Sequence, residues 1–139
     1  MDKNLIAASN FIFPILNNDK TEIVGDYSNG GLFNIKNNIE KDNKIYIDKL
    51  YNFLKDNKKK DINKNNLVYI KDNSIRGDIL KIENLDIFSI KFYTILNNLN
   101  NIGNKTAFIY SNLVKVGVDL FKNVLIENGY LEYEEKNNY

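Results

Sequence analysis

The sequence predicts an α/β chain whose last third runs helix, parallel strand, helix, strand, preceded by a mixed, partly irregular helical region. Three observations carry this. Leu113, Val116, Gly117, Leu120, Phe121, Val124 and Leu125 recur at i, i+3, i+4, i+7, i+8, i+11 and i+12, the stripe of an amphipathic helix. Ahead of it, Thr106–Tyr110 is a continuous apolar run of strand length, as expected where both faces of a parallel strand are covered. After it, Tyr130–Glu134 turns extended, which makes Thr106–Glu134 one strand, helix, strand unit with a right-handed parallel crossover.

From the start of the chain, Met1–Asn43 has apolar residues without a sustained period, one proline at Pro14 and a turn-like Ser28-Asn29-Gly30-Gly31, which predicts an irregular arm with one short helix. Ile47, Leu50, Tyr51 and Leu54 lie at helical spacing and predict a helix from Ile45 to about Asn57. Lys58-Lys59-Lys60 then falls in its last turn, where cations favour the helix dipole; the run is read as a solvated helix end rather than a phosphate site. Leu67–Ile70 and Arg76–Ile82, the latter around Gly77, predict one or two strands with pairing left open. Leu85, Phe88, Phe92, Ile95, Leu96 and Leu99 form one face of a single helix that ends before Asn101-Ile102-Gly103-Asn104. Asn128-Gly129 supplies a left-handed stop for the following helix.

A chain of 139 residues with 43% hydrophobic and 12% aromatic residues carries enough apolar surface for a core. Nineteen Lys plus Arg against eighteen Asp plus Glu leave a formal charge of +1, so no global field draws it to nucleic acid or membrane, and any such binding is local. With no cysteine and no histidine, disulfides, thiol nucleophiles, imidazole bases and nearly every zinc or transition-metal site are excluded. The apolar stretches near the start are short and interrupted, so neither a signal peptide nor a membrane span is expected. Asparagine makes up roughly a fifth of the chain and all basic residues but Arg76 are lysine, a bias read as compositional.

Motifs that carry chemistry are few. Gly103-Asn104-Lys105-Thr106 has the ending of a phosphate-binding loop, but it follows a helix and opens a strand, the reverse of what such a loop requires. Glu132, Glu134 and Glu135 are read as a solvated acidic tail. The remaining candidate is Tyr110-Ser111-Asn112, at the carboxyl end of a parallel strand and the start of a helix, where free amides meet anions. Ser111 or Asn112 equally serves as the N-cap, and Lys115, one turn in, reaches either a phosphate or solvent.

Lys91-Phe92-Tyr93-Thr94-Ile95-Leu96, Ala107-Phe108-Ile109-Tyr110-Ser111-Asn112 and Asn128-Gly129-Tyr130 resemble, in order, the start of the second RecA-like lobe of superfamily 2 helicases of the Swi/Snf-like kind. The nearest likeness is to helicases of large cytoplasmic DNA viruses, some of which serve viral transcription. Ser9-Asn10-Phe11-Ile12-Phe13-Pro14, Gly77-Asp78-Ile79-Leu80 and Glu83-Asn84-Leu85 match that order upstream.

The resemblance implies residues 1–83 as an inter-lobe arm or insert and 84–139 as the beginning of a partial RecA-like lobe. Ser111, Asn112 and Lys115 would contact a nucleic-acid backbone through motif IV. The phosphate loop, the acidic metal-binding motif and the arginine-bearing motifs are missing, so the chain alone is expected to be inactive and to bind no cofactor. ATP and Mg belong to the complete parent motor. The expected partners are DNA or RNA, the first lobe and the remainder of the second, in the cytoplasm, a viral factory or the virion and not in a membrane. The rival is a standalone α/β interaction module that binds a protein through exposed apolar surface; a small hydrolase or transferase ranks last, because no nucleophile and base pair can be named.

Overall fold

The computed structural model describes residues 11–102 and 118–130. These form five α-helices and two small antiparallel sheets, a mixed α/β arrangement. The predicted parallel strand Thr106–Tyr110, the first part of the following helix and the extended stretch beyond Tyr130 lie outside the described residues.

In place of an irregular arm, the first part holds a hairpin of β1 (Phe13–Leu16) and β2 (Ile23–Asp26), followed by α1 (Gly31–Lys41). The hairpin escaped the sequence reading because Asn17, rather than a glycine turn, closes its loop, its side-chain oxygen accepting from the Thr21 and Glu22 amides. Helix α1 packs closely on β1: a Cβ on Gly31 would lie 2.2 Å from the Phe13 ring, so only glycine lets the helix start there. Asn38 on α1 accepts from the Leu16 amide at 3.0 Å.

Helix α2 (Asn43–Asp56) matches its expected position and buries Tyr46, Leu50 and Leu54 at four-residue spacing. Its end corrects the reading of the lysine run. Lys58 adopts a left-handed φ of 65°, and the Lys58 and Lys59 amides donate back to the Lys55 and Leu54 carbonyls, which makes a Schellman cap. The lysines thus lie beyond the helix, and Lys59 pairs with Asp86 at 2.6 Å. A non-glycine residue in this conformation costs about 1–2 kcal/mol, so Lys58→Gly should raise the unfolding free energy by up to that amount in a urea titration.

A second hairpin pairs β3 (Tyr69–Lys71) with β4 (Ser74–Arg76). Asp72 and Asn73 both have positive φ, 52° and 62°, the geometry of a two-residue type I′ turn. The chain then leaves the sheet at Gly77, so the predicted strand Arg76–Ile82 is instead the end of β4 followed by a 3-10 turn at Asp78–Leu80.

The single helix expected over Leu85–Leu99 is two, α3 (Ile82–Phe88) and α4 (Ile90–Ile102), broken at Ser89. Ser89 is extended, and its hydroxyl accepts from the Phe92 amide at 3.0 Å, so it caps α4 in place of continuing α3. The apolar period runs unbroken across the cap, which hid it. The Phe88 carbonyl at the break accepts from the Ile12 amide at 2.7 Å, which pins the start of the described chain against the α3–α4 corner.

Helix α5 (Val118–Glu127) ends as expected at Asn128-Gly129: Gly129 has φ +95°, and the Gly129 and Tyr130 amides donate to the Ile126 and Leu125 carbonyls in a second Schellman cap. One core joins these elements. Phe92 meets Phe121 of α5 at 5.1 Å between ring centres, and Phe11 lies against Phe13, Phe88 and Phe92.

Tyr46 is fully buried and its hydroxyl donates to the Pro14 carbonyl at 2.6 Å. Burial pushes its phenol far above the ordinary value near 10. A group that ionises in the unfolded chain but not in the folded one favours unfolding once pH exceeds its unfolded value. Stability should therefore fall as pH rises above about 10. Tyr46→Phe should lose about 1 kcal/mol at neutral pH and show a shallower alkaline decline in pH-dependent chemical denaturation.

Candidate functional site

The sequence-derived site residues Ser111, Asn112 and Lys115 lie outside the described residues, as do Gly103-Asn104-Lys105-Thr106 and Glu132, Glu134 and Glu135. Among the described residues no three acidic residues gather as a metal site, and no helix is long and apolar enough to cross a membrane. Two polar regions bring together side chains from segments far apart in the sequence.

The first is the junction from Gly77 to Asn84. Gly77 has φ +122°, and a Cβ there would lie 2.6 Å from the Leu67 carbonyl oxygen, so the tight exit from β4 requires glycine. Asp78 is 3% exposed; its carboxylate accepts from the Asn63 amide, the Asn66 side chain and, at 3.3 Å, the Lys81 ammonium. Hydrogen bonding to Asp78, with the charge of its carboxylate, raises the Lys81 pKa above its ordinary value. Asn84, fully buried, donates to the Asp78 carbonyl at 2.8 Å, while its own side-chain oxygen has no protein partner.

Helix α5 closes the junction from the other side. Glu127 accepts from the Arg76 guanidinium at 2.7 Å and the Gly77 amide at 2.9 Å. Asn128 donates to the Leu80 and Val124 carbonyls and accepts from the Ile82 amide. It therefore caps the first turn of α3, where Lys81 offers no side-chain cap, and the last turn of its own helix. Asn123 donates to the Ser74 hydroxyl and Ile75 carbonyl. The bonds from Glu127 and Asn128 span residues 76 to 128, across the sequence boundary expected at 83–84. Chemically the junction is a structural clamp: its acids and amides bond to backbone, to each other and to the Arg76 and Lys81 cations, with the buried Asn84 side-chain oxygen left without a protein partner.

The second region is an open groove of about 410 Å³ between α2 and the turn leading into β3, lined by Asn43, Lys44, Asp48, Lys64, Asn65 and Tyr69 among others. Lys64 pairs with Asp48 at 3.2 Å, and both are half exposed. Beyond the groove, the Lys64 and Lys55 ammoniums lie over the Tyr51 ring at 5.1 and 5.7 Å. Sequence reasoning passed over this region because its residues come from two segments, each unremarkable alone; the helical spacing of Lys44, Asp48, Tyr51 and Lys55 was the available signal.

The whole chain aligns with a stretch of the Acanthamoeba polyphaga mimivirus protein named "Putative ATP-dependent RNA helicase L377", 38% identical over 150 aligned residues. The chain is similar throughout to part of a viral helicase. It spans 13% of that relative's length. No family model and no solved structure matches it.

The junction generates one test of its own. Asn128→Asp keeps the shape but replaces a donor with a carboxylate facing the Leu80 and Val124 carbonyls. It should destabilise the fold by on the order of 2–3 kcal/mol in chemical denaturation, at least as much as Asn128→Ala.

Proposed function

We propose that this chain forms the inter-lobe region and the beginning of the second RecA-like lobe of a superfamily 2, Swi/Snf-like nucleic-acid motor of the kind found in large cytoplasmic DNA viruses. The observation that carries this reading is the 38% identity along the whole chain to part of a mimivirus helicase. The ordered match of Lys91–Leu96, Ala107–Asn112 and Asn128-Gly129-Tyr130 to the superfamily pattern, and of Ser9–Pro14, Gly77–Leu80 and Glu83-Asn84-Leu85 to that of the viral helicases, supports it from the residues themselves.

In this role the chain supplies grip and support rather than chemistry. Ser111, Asn112 and Lys115 contact the phosphate backbone of the track at motif IV, in this reading two short polar side chains where the sequence predicts a helix start and one cation four residues on from Ser111. ATP turnover with Mg needs amides cradling the phosphates, a carboxylate holding the metal and a cationic clamp on the transferred group. Those parts belong to other segments of a longer motor, and nucleotide is not assigned to any residue of this chain.

Two measurements test this. Translation of the DNA flanking this reading frame should reveal a phosphate loop and acidic box upstream and an arginine-bearing motif downstream; their absence from both flanks would remove the motor reading. Ser111→Ala with Lys115→Ala should weaken oligonucleotide binding several-fold and flatten its salt dependence by roughly 0.7, the loss of about one phosphate contact. Unchanged affinity and slope would sink the motif IV assignment.

A further inference from the structure

The groove beside α2 continues into a stripe along that helix. Lys44, Asp48, Tyr51 and Lys55 follow one another at i, i+4, i+7 and i+11, so they share one face over about 16 Å. Lys64 enters this face from the neighbouring turn, bonded to Asp48 and placed over Tyr51. Tyr69 stands on the groove's β3 side with 37% of its surface exposed, and Asn43 and Asn65 also line the groove. Three lysines therefore flank one carboxylate, with two tyrosines between and beside them.

We propose that this face is a docking surface for single-stranded nucleic acid, with Lys44, Lys64 and Lys55 following successive phosphates and Tyr69 offering its ring to an unpaired base. The inference rests on the nucleic-acid reading above and places a second contact region far along the sequence from Ser111. Its chemistry matches the partner on both counts. Spaced ammoniums meet a backbone charged at every residue, and an exposed phenol ring stacks on any base without selecting its sequence. The Tyr51 ring lies within cation–π range of two of these ammoniums, while the buried Tyr46, Leu50 and Leu54 anchor α2 in the core. Asp48 limits affinity by neutralising Lys64 in the free protein.

The test is fluorescence anisotropy of labelled oligothymidylate and oligouridylate of about twenty nucleotides, long enough to cover a site of this size. It is run with the full chain across a salt series. The Lys44→Ala, Lys55→Ala, Lys64→Ala triple variant changes only exposed positions. It should bind at least tenfold more weakly at low salt and lower the slope of log affinity against log salt by about 2, from three contacts at roughly 0.7 each. Tyr69→Ala should weaken binding about tenfold with the slope unchanged, within the range for one stacked base. Asp48→Asn should tighten binding. Circular dichroism and a thermal melt matching the parent chain show that each variant is folded.

A triple variant with the parent's affinity and slope overturns the surface, as does a parent chain that binds neither probe. Ser111→Ala with Lys115→Ala, run in parallel, separates this proposal from the motif IV assignment. Loss there with none in the triple variant removes the α2 face and leaves motif IV standing. Loss in the triple variant alone does the reverse.

Discussion

The arrangement turns on how the segment from Gly77 to Ile82 has its backbone satisfied. This segment passes between the second hairpin and the helices, is buried over Gly77–Leu80, and is too short and irregular to bond to itself in full. A buried amide or carbonyl without a partner costs about as much as several good contacts return. Side chains from distant positions supply the partners: Glu127 for the Gly77 amide, and Asn128 for the Leu80 carbonyl and Ile82 amide. Leu67 adds its carbonyl to the Ile79 amide. Helix α5 is therefore held to the first part of the chain by directional polar bonds as well as by the Phe92–Phe121 contact.

That clamp gives the asparagines a different meaning from the one composition suggests. Through their side chains Asn66 and Asn84 bond to Asp78, and Asn123 and Asn128 tie α5 to β4 and α3. An amide side chain both donates and accepts, so one Asn128 satisfies two carbonyls and an amide at once, which neither a hydroxyl nor a carboxylate can do in the same orientation. The asparagines that composition makes abundant thus include residues that the fold uses at particular places. Lysine shows a similar split: Lys59 and Lys81 are committed to Asp86 and Asp78, while Lys44 and Lys55, together with Lys64 in its exposed pair with Asp48, line the open face of α2.

Helix α2 therefore divides its labour by face. One side carries Tyr46, Leu50 and Leu54 into the core and reaches the first hairpin through the Tyr46 hydroxyl. The other presents charge and aromatic surface beside β3.

The sequence by itself determined the elements whose signals are local. Helix α2 follows from its four-residue apolar spacing, and the end of α5 follows from Asn128-Gly129, because a left-handed stop needs little beyond a glycine there. The order of short matches to the helicase pattern was also legible in sequence, and the whole-chain likeness to the mimivirus protein agrees with it at the level of a helicase relative. Tertiary structure decided the rest. The break at Ser89 leaves the apolar period intact and becomes visible only through the hydroxyl that caps α4 and the Ile12 amide that takes the freed Phe88 carbonyl. The hairpin at Asp72-Asn73 needs two positive φ values that its residues tolerate but do not announce as strongly as glycine. The polar clamp and the α2 face join residues separated by up to about fifty positions in the chain, for which hydrophobic periodicity carries no information, since it reports which side of an element is buried and not what polar group it meets.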